Sequence, residues 1–195
     1  MMTRAPSHTV IDASPSLPPR HLASIVVGSC LLALRVPGTL VAPALTLLVG
    51  AIGLGISIGA SFVGGDDRPH SQRLFLWLTV TVIGCVTFAC ARFVGVVHPG
   101  PIWWPAVAAS VLAAVAEEAF FRRLVYGALA VFGPGAAIVS AAALFAVVHV
   151  PAYGPEVLLI DFAAGVLLGW QRWVSGGWSA PAATHAAANL LGFGW

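Results

Sequence analysis

Two adjacent glutamates, Glu117 and Glu118, stand in an otherwise apolar stretch, with Arg122 and Arg123 one helical turn further on. The stretch runs from Trp103 and Trp104 through Val107, Val111, Leu112 and Val115 to Leu124, Val125 and Leu129. An ionisable side chain in such a setting costs about 3 kcal/mol or more at a bilayer centre. It persists where it is paired, where it faces a wet cavity, or where it does chemistry. Helix spacing separates the two acids. Glu118 and Arg122 are i,i+4 with the acid first, the favourable order for an ion pair. Glu117 points about 100° away and has Phe121 at its own i+4 position. Glu118 is therefore expected to be the structural partner of Arg122, and Glu117 the carboxylate left for chemistry. The simpler alternative is that both acids only neutralise Arg122 and Arg123.

Of the six histidines, His8, His21, His70 and His98 fall in tails or loops, while His149 and His185 lie in apolar runs. His185 and Asn189 are i,i+4 and share a helix face. An imidazole N–H beside an amide N–H2 offers two donors, which is what a developing oxyanion requires. A carboxylate and a histidine converging on a water form a general base. Together these groups suit hydrolysis of an amide or ester. The alternative for His185 and Asn189 is a polar pair that joins two helices. No serine or cysteine is marked as a nucleophile: there is no GxSxG, and Cys30, Cys85 and Cys90 have no neighbouring histidine and form no CxxC. The cysteines are expected to be small buried hydrophobes.

The elements that must position these groups are membrane helices. The 195 residues are 59% hydrophobic and 8% charged, with a mean hydropathy of +0.94. Soluble domains carry about 25% charged residues. The expected fold is all-α, a polytopic transmembrane helix bundle of about seven helices. A formal charge of +2 argues against a nucleic-acid partner. Residues 1–21, rich in Pro and Ser, read as a flexible polar tail without the cleavage site of a signal peptide. The predicted spans are 22–34, 40–63, 74–97, 103–129, 135–150, 156–174 and 178–194. Arg35-Val36-Pro37-Gly38 reads as a turn between the first two. With seven spans and an inside N-terminus, the inner segments hold seven arginines and the outer ones Arg35 and Arg92. Dropping the short first helix would reverse everything downstream.

Three motifs now stand in order: Glu117-Glu118-x-x-x-Arg122, Phe145-x-x-x-His149 and His185-x-x-x-Asn189. They resemble those of the CPBP (ABI) family of intramembrane proteases. That family includes type II CAAX prenyl endopeptidases and bacterial bacteriocin-processing or immunity proteins. The resemblance covers 103–195, an expected catalytic helical core. Residues 22–102 resemble only generic transmembrane helices. The resemblance implies an endopeptidase in the lipid bilayer of a bacterial cytoplasmic membrane, acting on a membrane-associated peptide or protein. It implies that Glu117 and His149 activate the attacking water, that His185 and Asn189 form an oxyanion hole, and that Glu118 and Arg122 hold the site together. The position after Arg122 is often Gly in the family; here it is Arg123, a charge expected to be countered by Asp161, whose alternative is to face solvent in a cavity. The chain also ends soon after Asn189, where some members carry a further helix.

No cofactor is required by this reading. A Zn2+ ion would take His149, His185 and Glu117 as ligands and keep an open position. No HExxH pair is present, and the metal-free reading is favoured. Two other functions compete. One is a non-catalytic membrane binding or bacteriocin-immunity protein, which has no need of a base and oxyanion donors together. The other is a proton path, though no internal repeat is visible.

Overall fold

In the computed structural model, described for residues 17, 19–41, 70–94 and 104–192, those residues form a helical bundle without strands. Its helices are α1 (Pro19–Val41), α2 (His70–Val94), α3 (Trp104–Glu118), α4 (Pro134–Tyr153), α5 (Leu158–Ser175) and α6 (Ser179–Leu190). Beyond α3 the same rod continues as a π-helical segment, Ala119–Val125, then as Tyr126–Leu129 and a 3-10 turn, Ala130–Phe132. Gly133, at φ 95°, ends it, and Pro134 opens α4 at a position where its missing N–H is not needed. Gly154 and Gly176, also at positive φ, make the next two turns.

Among the described residues, three helices are long and apolar enough to cross a membrane: Gln72–Arg92, Pro134–Tyr153 and Pro155–Ser175. The outer surface matches that setting. Leu22, Val26, Phe75, Leu78, Val82, Val139, Leu159 and Ile160 are all exposed. With lipid as solvent, apolar side chains need not point inward, and the polar groups do so instead. The cysteines follow this logic rather than the sequence expectation. Cys30 and Cys90 are exposed and Cys85 is half-buried.

Two further expectations are corrected. The turn placed at Arg35–Gly38 is absent: α1 runs through Pro37 and Gly38 to Val41. The fifth span does not stop before Pro151, which lies inside α4. A proline removes one donor from a helix, and a helix without water around it keeps the remaining backbone bonds because nothing else can satisfy them. The span at 40–63, the loop that follows it, and the turn at 98–101 with Trp103 lie essentially outside the described residues. So does most of the 1–21 tail, whose last residues, from Pro19, already belong to α1.

Small residues let α4 and α5 approach closely. A Cβ on Gly165 would meet Ala142 Cα at 2.8 Å, and one on Gly169 would meet Ile138 at 3.1 Å. The core beside this seam holds Phe120, Phe121, Leu124, Val125, Ala141, Phe145 and Val148, with Ile25 and Leu32 of α1 against it. A polar tie fixes α2 and α6 on the other side. Gln171 is fully buried and donates to the Val80 carbonyl (2.6 Å) and to Thr184 Oγ1 (3.0 Å). Arg92 of α2 donates from Nε to the Leu191 carbonyl just past α6 (3.1 Å), serving a helix end that lacks an internal partner.

Gly165→Val is expected to destabilise the fold by about 1–3 kcal/mol through overpacking. Gly135→Ala is the control, because nothing lies within 4 Å of a Cβ there. Thermal unfolding in detergent checks both: a marked drop for the first and little change for the second.

Candidate active site

The site lies where α3, α4, α5 and α6 meet. At the end of α3, Glu117 and Glu118 are both buried and point in different directions, as their spacing requires. Glu118 Oε1 accepts from Arg122 Nη1 at 3.1 Å, the predicted i,i+4 pair. Both of these side chains are fully buried. The other end of the guanidinium, Nη2, donates to the Gly165 carbonyl of α5 at 3.1 Å. Arg122 Cζ stands 4.9 Å from the Phe145 ring centroid and 5.6 Å from that of Phe121, within cation–π range.

The same Glu118 oxygen lies 2.8 Å from His185 Nδ1. A carboxylate only accepts, so Nδ1 carries a proton and the ring orientation is set. His185 Nε2 then faces Glu117 Oε2 at 3.9 Å. From α4, His149 Nε2 approaches the same Glu117 oxygen at 3.6 Å. The His149 Nδ1–H donates to the Phe145 carbonyl at 2.7 Å. One oxygen of Glu117 is thus within 4 Å of two imidazole nitrogens from two other helices. Phe145 packs edge-on to His185 and at a tilt against His149, and so separates the histidines from the core.

Asn189 is one turn beyond His185 on α6. Its Nδ2 donates to the Ser110 carbonyl of α3 at 3.1 Å, which leaves its second N–H for another acceptor. The structure therefore brings Glu117, Glu118, Arg122, His149 and His185 into one connected cluster, with Asn189 tied to α3 beside it.

Three participants escape a reading of one helix at a time. Asp161 does not counter Arg123: its Oδ2 lies 3.9 Å from His149 Nδ1. It sits four residues before Gly165 on α5 and so shares the face that supplies the carbonyl to Arg122. Gly165 contributes backbone, not side chain. Arg172, farther along α5, donates from Nε to the Arg122 carbonyl at 3.1 Å and stacks over Tyr126. The available signal was the series Asp161, Gly165, Leu168, Arg172, a 4-3-4 spacing that marks one helix face.

Two imidazoles and a carboxylate are donors that Zn2+ accepts. Among the described residues, however, no group of three or more His, Cys, Asp or Glu side chains is arranged to hold a metal ion.

Residues 99–191 match the family described as Type II CAAX prenyl endopeptidase Rce1-like, just under half of the chain. This segment is similar to the type II CAAX prenyl endopeptidases. No curated protein and no solved structure matches the chain. Every residue of the cluster lies within the matched segment. With three helices of membrane-crossing length among the described residues, the chain is an integral membrane protein, and its 99–191 segment carries the likeness to a peptide-hydrolase family.

Removing one partner of a buried ion pair strands the other. Arg122→Met is expected to cost about 3–5 kcal/mol. The double variant Glu118→Gln with Arg122→Met should recover a large part of that loss. Unfolding midpoints of the purified variants check it; a double variant no more stable than Arg122→Met would contradict the pairing.

Proposed function

We propose that the protein is an intramembrane endopeptidase that hydrolyses a peptide bond of a membrane-associated substrate with water activated by Glu117 and His149. The observation that carries this reading is the approach of both Nε2 atoms to one buried Glu117 oxygen, at 3.6 and 3.9 Å. A water at about 2.8 Å from both Glu117 Oε2 and His149 Nε2 sits at the apex of that shorter pair. Its oxygen attacks the scissile carbonyl carbon while its proton passes to the Glu117–His149 pair. The carbonyl oxygen becomes an oxyanion, taken up by the second N–H of Asn189 and by His185. His185 donates from Nε2 in the doubly protonated form, since Nδ1–H is engaged by Glu118. Collapse breaks the C–N bond, and the pair returns the proton to the leaving amine. The products are a carboxylic acid and an amine.

Glu118, Arg122 and the Gly165 carbonyl act by holding His185 and the end of α3 in place. No step is routed through a metal. The family match supports a prenylated C-terminal peptide as the first substrate class to offer. The arginine distribution over seven spans favours an inside N-terminus.

The test compares peptide termini across the membrane proteome of cells carrying wild type or Glu117→Gln, which keeps the shape and removes the base. New termini that depend on Glu117 support the reading and identify substrates together. Identical termini with both proteins expressed reject it and leave a binding or immunity role. On a cleaved substrate, Glu117→Gln is expected to lower kcat by about 10²–10⁴-fold. Asn189→Ala should lower it by about 10²–10³-fold, with KM little changed. Excess EDTA or 1,10-phenanthroline should leave the rate intact; loss that Zn2+ restores would transfer water activation to a metal.

A further inference from the structure

We propose that Asp161 is a positioning residue for the reaction, acting through the far edge of the His149 ring. The role rests on the peptidase reading; the contact does not. Asp161 is costly where it stands. It lies in the first turn of an apolar helix of membrane-crossing length, and its side chain is about a quarter exposed. Among the described residues its carboxylate makes one ion-pair contact, to His149 Nδ1 at 3.9 Å, and accepts no hydrogen bond.

The placement does have a chemical use. The His149 ring has two nitrogen edges. Nε2 faces Glu117 and the position of the attacking water. Nδ1 faces two acceptors, the Phe145 carbonyl at 2.7 Å and Asp161 at 3.9 Å. The carbonyl takes the N–H and fixes the ring, but it offers only a dipole. Asp161 supplies a full negative charge on the axis along which positive charge appears when His149 receives the water's proton at Nε2. In a water-poor interior such a charge acts strongly at this distance. No bond to Asp161 forms or breaks. It keeps the proton on Nδ1 and leaves the Nε2 lone pair directed at the water. The chain positions it by spacing: Gly165, one turn later on the same face, is locked onto Arg122, so Asp161 falls beside α4 at the level of His149.

The experiment uses the full-length protein in detergent with a fluorogenic farnesylated peptide ending in a CAAX sequence. Asp161→Asn is expected to lower kcat about tenfold or more with KM within about twofold, and Asp161→Glu to restore most of the rate. The unfolding temperature of Asp161→Asn should equal or exceed that of wild type. In protein labelled with 15N-histidine, the His149 Nδ1 resonance, assigned with His149→Gln, should move in Asp161→Asn. A raised KM with unchanged kcat would make Asp161 a substrate contact and overturn the proposal. A lowered unfolding temperature with an unmoved Nδ1 resonance would make it a structural residue and overturn it equally. If wild type cuts no peptide, that substrate reading fails alone. The Nδ1 resonance then still decides: movement upholds the action of Asp161 on the ring, and no movement rejects it.

Discussion

One buried cation organises this molecule. The Arg122 guanidinium is fully enclosed, and its neighbours come from three helical elements besides the segment it occupies. Glu118 at the end of α3 takes one end, the Gly165 carbonyl of α5 takes the other, and Phe145 of α4 covers a face. Glu118 in turn holds His185 of α6. A buried ion pair is a poor source of net stability, because desolvation offsets most of the attraction. What it supplies is uniqueness. Lipid does not drive apolar helices together as water does, so many packings of greasy helices are close in energy. A charge that must be satisfied from three directions selects one of them, and that one carries two histidines to Glu117.

The supporting features follow from this constraint. Gly165 serves twice, since its missing side chain lets α5 reach Ala142 and its carbonyl reaches Arg122. The Arg122 carbonyl lies in the π-helical segment, where the i→i−4 ladder is interrupted. Arg172 supplies a donor there, from the same face of α5. Two ties therefore run between that segment and α5, one through the Arg122 side chain and one through its backbone. A shift of α5 along α3 would break both. The proposed chemistry needs this precision: a base and its water act only within hydrogen-bond reach.

How much of this was legible depended on the range of the interaction. The Glu118–Arg122 pair is local, one turn of helix, and periodicity alone gave it together with the separate direction of Glu117. The standing of His149 and His185 was legible because a polar residue in an apolar helix has few reasons to be there. The errors arose from rules calibrated in water. Proline and glycine end helices where water can take over the backbone, so Pro37 and Pro151 read as stops and were not. Apolar cysteines read as buried because water, not lipid, was assumed outside. The π-helical segment has no signature in a single sequence. Asp161 was placed against Arg123 by counting charges, whereas its position is set by the rotation of α5, which depends on Gly165 and Ala142 in a different helix.

Charge placement around Glu117 bears on what the site can do. Glu117, Glu118 and Asp161 are three carboxylates, and Arg122 is the permanent cation among them. Hydrolysis does not change the net charge of such a cluster; it separates charge over a few ångströms. In the proposed mechanism a proton moves toward Glu117 and His149 while negative charge grows on the substrate oxygen. In a medium of low dielectric the cost of that separation depends on which groups already lie along its axis. Carboxylates stand on the side where the proton arrives. Side-chain donors, His185 and Asn189, lie together on α6, across from α4. A proton path would need its polar groups in series from one membrane face to the other. Here they converge on one carboxylate oxygen from separate helices, the arrangement that the proposed reaction needs.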